Sequence, residues 1–148
     1  MRIGIANDHA AVEMKKEIAS YLESKGFEVV NYGTDDNASV DYPVYGEKVA
    51  TAIRDEEVDL GVLICGTGIG ISLAANKVPG IRAAVVSEPI SARLSREHNN
   101  ANIIAFGARI VGLEEAKGIV DAFFGAEFLG DRHARRVDMI DDVDKRNH

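Results

Sequence analysis

The chain's one cysteine, Cys65, ends the apolar run Leu60-Gly61-Val62-Leu63-Ile64 and opens the loop Gly66-Thr67-Gly68-Ile69-Gly70. A thiol at the carboxyl end of a buried strand lies where open α/β sheets place their ligands. Glycine at every second position lets backbone N–H groups approach an anion closely, and the helix that follows turns its positive end to the same spot. Thiols gain thiolate character near helix N-termini, so the chemistry on offer is a nucleophile or base beside an anion cradle. A buried cysteine acting as a small hydrophobe, followed by a tight turn, is the competing reading of the same residues. A dinucleotide fingerprint would need glycine where Ile71 stands and would follow the first strand of the fold, whereas this loop follows the third. No Gly-Lys-Ser/Thr follows, which removes the P-loop.

Three other groups have side chains suited to chemistry. Asn7-Asp8-His9 follows the first predicted strand, where Asp8 or Asn7 caps a helix, serves a site, or both. Glu97-His98-Asn99-Asn100-Ala101-Asn102 joins a helix to a strand; a helix C-terminus favours histidine, and histidine is also the usual proton carrier near neutral pH. Asp131-Arg132-His133-Ala134-Arg135-Arg136 puts Arg132 and Arg136 four apart, on one helix face, where two guanidinium groups suit a phosphate dianion. Such a run also reads as solvated surface. Arg109 follows Phe106-Gly107-Ala108, again at a strand's carboxyl end.

These residues need elements to hold them, and the pattern is strand then helix, repeated. Strands are predicted at Ile3–Ala6, Phe27–Tyr32, Leu60–Ile64, Ile81–Val86 and Ile103–Phe106. Helices are predicted from about Val12 to Leu22, after Pro43, over Ile71–Asn76, from Pro89 to about His98, over Leu113–Phe124, and from Arg132 to Lys145. Alternation with short loops predicts one doubly wound, Rossmann-like α/β domain over residues 1–148: a five-stranded parallel sheet with helices on both faces.

Composition sets bounds on function. The 148 residues suffice for one domain with a sizeable core, and no apolar run approaches the roughly 20 residues of a membrane span. A net charge of −7 argues against nonspecific nucleic-acid binding. A single cysteine and no signal-peptide pattern read as a cytoplasmic protein. No clustered His/Cys set predicts a metal site.

Taken in order, Asp8-His9, Val40-Asp41-Tyr42-Pro43, Cys65-Gly66-Thr67-Gly68-Ile69-Gly70, Ala74-Ala75-Asn76-Lys77, Gly80-Ile81-Arg82-Ala83, Ser95-Arg96-Glu97-His98-Asn99 and Arg132-His133 with Arg136-Val137 resemble the type B ribose-5-phosphate isomerases and their relatives, the galactose-6-phosphate and allose-6-phosphate isomerases. The resemblance spans residue 3 to about 140. Ala10-Ala11 and Asp131 depart from it where family members often carry glycine.

The resemblance implies aldose–ketose isomerisation of ribose 5-phosphate and ribulose 5-phosphate through an enediolate, without metal or other cofactor. Isomerisation of a six-carbon sugar phosphate is the near alternative, and a non-catalytic nucleotide- or phosphate-binding module the distant one. Cys65 would be the base that moves the proton between C2 and C1. The branch that uses a glutamate instead would need it where Ile71 stands. His98 would open the sugar ring, with Asp8 and Asn99 nearby to orient the sugar or the imidazole, and Tyr42 would line the pocket. Backbone N–H groups across Gly66, Thr67, Gly68, Ile69 and Gly70, with the Thr67 hydroxyl, would hold the enediolate oxygen. His9, Arg109, Arg132 and Arg136 would hold the phosphate, the C-terminal arginines coming from a neighbouring chain. That implies a homodimer, or a tetramer of paired dimers.

Overall fold

Five short apolar segments pair side by side in one direction. The computed structural model describes residues 1–148, with strands β1 (Arg2–Asn7), β2 (Glu28–Asn31), β3 (Leu60–Cys65), β4 (Ala83–Val85) and β5 (Ile103–Gly107). The sheet order is β2-β1-β3-β5-β4, and every pairing is parallel. Helices α1 (Val12–Ser24), α2 (Tyr42–Arg54), α3 (Ile69–Ala75), α4 (Pro89–Asn99), α5 (Leu113–Phe124) and α6 (Arg132–Asn147) complete the chain. The predicted α/β class and the five-stranded parallel sheet are what the chain forms.

The core is split by the sheet. On one face Ile18, Leu22, Ala92, Ile119 and Phe123 from α1, α4 and α5 pack on Ile5, Val62 and Ile104. On the other, Val49 and Ala50 of α2 and Ile71 and Ala75 of α3 pack on Ala6, Leu63 and Ala105. All six residues of β3 are buried, as a central strand covered on both faces requires. Helix α6 stands apart: of its residues only Val137 is buried, while Met139, Ile140 and Val143 are about half exposed.

Three of the differences from expectation have a local cause. The Asp8 carboxylate accepts the Ala10 N–H at 3.0 Å and starts a 3-10 turn, His9–Ala11, before α1. Helix α3 begins at Ile69, two residues early, because Gly68 turns the chain at φ 81°. Strand β4 is three residues where six were predicted. Gly80 has a positive φ, and the Arg82 N–H donates to the Asn102 side chain at 2.8 Å rather than into a ladder.

Candidate active site

The strand order brings Asp8 beside Cys65. The chain runs from β1 out to β2 on one side and returns as β3 on the other, so the crevice at their carboxyl ends is a topological switch point. Asn7 pairs with Ile64, and the Asp8 N–H extends that ladder to the Ile64 carbonyl at 3.2 Å. Cys65 pairs with Gly107 on the other flank, and the N–H groups of Ala108 and Arg109 bond the carbonyls of Cys65 and Gly66 at 2.9 and 3.0 Å. Three strand ends thus deliver Asp8, Cys65 and Arg109 to one place. They line a cavity of about 230 Å³ together with Tyr42 and Thr67, with Gly66 and Gly70 at its wall.

Cys65 is 5 % exposed, and its Sγ accepts the Gly68 N–H at 3.1 Å. Such a donor binds a thiolate more strongly than a thiol. The Ile69 N–H is committed to Thr67 Oγ1 at 3.2 Å, so of the five expected cradle donors two serve the loop itself. The N–H groups of Gly66, Thr67 and Gly70 have no protein acceptor. The glycines also have structural reasons. A Cβ at Gly68 would meet the Phe106 backbone at 2.6 Å, and its φ is one that side chains disfavour. A Cβ at Gly70 would meet the Tyr42 ring at 2.4 Å. His9 lies next to this crevice in sequence but lines a separate depression with Met14 and Leu113. Its Nδ1 accepts the Val40 N–H at 3.1 Å, which leaves Nε2–H as the donor of the neutral ring.

The remaining predicted residues lie elsewhere. The Gly61 N–H at the start of β3 bonds the Asn102 carbonyl at 2.9 Å, so the turn after α4 sits at the amino edge of the sheet. Cys65 is four residues further along β3, about 13 Å at roughly 3.3 Å per residue. His98 and Asn99, at the end of α4, therefore stand outside the Cys65 cavity of their own chain. Within one chain, then, Asn99 does not stand near Asp8: a helix running back between parallel strands ends at the opposite edge. Arg132 and Arg136 lie exposed on α6, near His98.

One residue was missed as a site candidate. The His133 ring stacks on His98 with centroids 4.3 Å apart and planes within 10°. Desolvation, then His98, Arg132 and Arg136, hold the His133 imidazole below its ordinary 6.5. A histidine next to Arg132 was visible in the sequence; its partner, His98 on another helix, was not.

Comparison with known proteins follows the same residues. A family profile described as Ribose/Galactose Isomerase matches residues 3–140. Ribose-5-phosphate isomerase B of Escherichia coli K12 is 51% identical over 147 residues, 99% of each chain. Among solved structures, Clostridium thermocellum ribose-5-phosphate isomerase B superposes with a TM-score of 0.98 at 55% identity, covering 100% of both chains. The Mycoplasma genitalium enzyme, solved with bound ribulose-5-phosphate, gives 0.92 at 43% identity, covering 97% of this chain and 96% of that one.

Proposed function

The chain belongs to the ribose/galactose isomerase family, and from that membership we propose that it interconverts ribose 5-phosphate and ribulose 5-phosphate through an enediolate, with Cys65 as the base. The observation that carries the assignment of roles is the Cys65 cavity: a sulfur already accepting a backbone donor, faced by Asp8, Tyr42, Thr67 and Arg109.

The sugar first opens, His98 giving and taking the protons that break the ring C–O bond. The Cys65 thiolate then removes the proton from C2 of the open-chain aldose. The electron pair of that C–H bond forms the C1–C2 double bond, and the C1 carbonyl becomes the enediolate oxyanion. The N–H groups of Gly66, Thr67 and Gly70 and the Thr67 hydroxyl are the fixed donors for it. Gly68 and Ile69 act one step back, Gly68 by holding the sulfur and Ile69 by turning the Thr67 side chain. Cys65 returns the proton to C1 while a proton moves from O2 to O1, which gives the ketose. The reaction is redox-neutral and calls for no cofactor. Asp8, Tyr42 and Asn99 orient the sugar, and Arg109, with His9 from the adjoining depression that Ala108 also lines, forms one side of the phosphate seat.

The other side belongs to a second copy. His98, Asn99, Arg132 and Arg136 share one end of the chain, and Cys65, Asp8 and Arg109 share the other. A two-fold pairing of the two ends builds two complete sites at once. Exposed apolar residues support that pairing on both surfaces: Ile69 and Leu73 on α3 with Ile110 next to Arg109, and Met139, Ile140 and Val143 on α6. In the dimer, Arg132 and Arg136 of the partner subunit complete the phosphate clamp.

The test is turnover of the purified chain on ribose 5-phosphate beside allose 6-phosphate; activity on neither overturns the reading. Mixing inactive Cys65→Ala chains with inactive Arg136→Ala chains restores part of the activity if the site is shared. No rescue, with subunit exchange demonstrated, overturns the sharing.

A further inference from the structure

Helix α6 carries Arg132, His133 and Arg136, yet little apolar contact holds it. Its N-cap Asp131 makes no capping bond, and Val137 alone is buried. Beyond the His98–His133 ring stack, its register against α4 rests on polar contacts, and the side-chain one runs through a single residue. We propose that Arg82 is a positioning residue that sets the spacing between His98–Asn99 and the α6 arginines.

The Arg82 side chain is 19% exposed, and its guanidinium reaches both elements. Nε donates to the Asn100 carbonyl at 2.9 Å, in the turn that ends α4 directly after His98 and Asn99. Nη1 donates to Asp141 Oδ1 of α6 at 3.3 Å. Asn102 fixes the Arg82 backbone from both sides: its Oδ1 accepts the Arg82 N–H at 2.8 Å, and its N–H donates to the Arg82 carbonyl at 3.0 Å. The anchor is therefore rigid, not a flexible surface arginine.

A second guanidinium closes the same turn without reaching α6. Arg96 Nη1 donates to Asn100 Oδ1 at 3.0 Å and to the Ala101 carbonyl at 2.6 Å. Asn100 adopts φ 49°, a left-handed conformation that these bonds hold in place. Arg82 alone links this turn to the helix that carries the phosphate-facing charges. Asp144 adds a weaker contact, accepting the Gly80 N–H at 3.2 Å.

Helical geometry separates the tether from the site. At about 100° per residue, Asp141 lies roughly 140° around α6 from Arg136 and about 180° from Arg132. The ion pair thus faces inward beside Val137, and the two arginines face outward. Arg82 acts on substrate only through the two elements it joins. Loss of a single ion pair that stays in contact with water changes stability little, whereas a shift of about 1 Å in a binding group is felt strongly in affinity.

The proposal rests on the reading of Arg132 and Arg136 as phosphate ligands, and the experiment separates the two. Asp141→Asn and Arg82→Lys are assayed on ribose 5-phosphate, with inorganic phosphate as competitive inhibitor, beside Asp138→Asn as a carboxylate of α6 without contact to Arg82. The expected result for both tether variants is KM and the phosphate inhibition constant raised together by about tenfold. In Asp141→Asn kcat stays within about twofold and Tm within a few degrees, and Asp138→Asn behaves as wild type. Combined with Arg136→Ala, Asp141→Asn adds little further loss, since both act through one contact. Unchanged KM and phosphate inhibition in Asp141→Asn overturn the tether while Arg136→Ala still weakens both. If Arg132→Ala and Arg136→Ala also leave both unchanged, the phosphate reading itself falls.

Discussion

The two ends of this sheet hold chemical groups in opposite ways. At the carboxyl edge, Cys65 and its loop are built from backbone: strand ladders place them, Gly68 N–H holds the sulfur, and the sulfur-bearing residue is buried. At the amino edge, His98, His133, Arg132 and Arg136 are side chains on helix ends, half-buried or exposed, held by a ring stack and the Arg82 tether. A base that must approach a C–H bond within a fraction of an ångström gains from the rigid end. A phosphate clamp completed by a second chain, as proposed above, tolerates the looser one. The difference teaches where damage shows: in kcat at the first end, in KM at the arginines of the second.

The sharpest break is Cys65→Ala, expected to lower kcat by about a thousandfold or more while the fold and inhibition by inorganic phosphate persist. Steady-state kinetics with a phosphate inhibition series checks it, and substantial turnover would remove Cys65 as the base. Gly68→Ala comes next. It forces a side chain against the Phe106 backbone at 2.6 Å in a left-handed conformation, and is expected to cost about 1–3 kcal/mol by thermal unfolding together with most of kcat. An equal change in KM alone would mean the loop is no more rigid than the other end.

At the second end, the effect is on protons. Folding holds His133 below its ordinary 6.5, so the folded chain binds that proton less readily than the unfolded chain. Stability carried by the neutral ring is present above that value and declines as pH falls through it. A phosphate dianion beside Arg132 and Arg136 opposes the cause and raises the His133 value, which NMR titration with and without phosphate reads directly. The smallest effect concerns the entry to α6. Asp131 sits at φ 48°, ψ −129°, a region suited to glycine. Asp131→Gly is expected to relieve about 1 kcal/mol and raise Tm by roughly 2–4 °C, with kcat unchanged.

How much was legible follows the same division. Cys65, its loop, Asp8 and Arg109 were readable because each directly follows a strand, and a strand's carboxyl end is a site in any parallel sheet. That all three share one cavity was not readable, since it depends on β3 returning to the far side of β1. His98 and the arginines were found by residue type and by resemblance, but their distance from Cys65 was hidden: no local pattern tells at which edge of the sheet a turn falls until the strand pairings are known. The Arg82 contacts were invisible for a plainer reason. They join residues 18 and 59 positions apart, and nothing in the spacing of Gly80-Ile81-Arg82 points to Asn100 or Asp141. Asp131 was noted as a departure from glycine, and only its backbone angles gave that departure a physical meaning.

By itself, then, the sequence determined the alternation of strands and helices, the parallel sheet they imply, and the chemical types present: one thiol, a glycine loop, two histidine-bearing turns and a basic face on the last helix. These are set by hydrophobic period, caps and turn residues, which act over a few residues at a time. Only the tertiary structure decided which of those groups meet. Strand order and helix direction arise from pairings between distant segments, and they send Cys65 and His98 to opposite edges of one sheet.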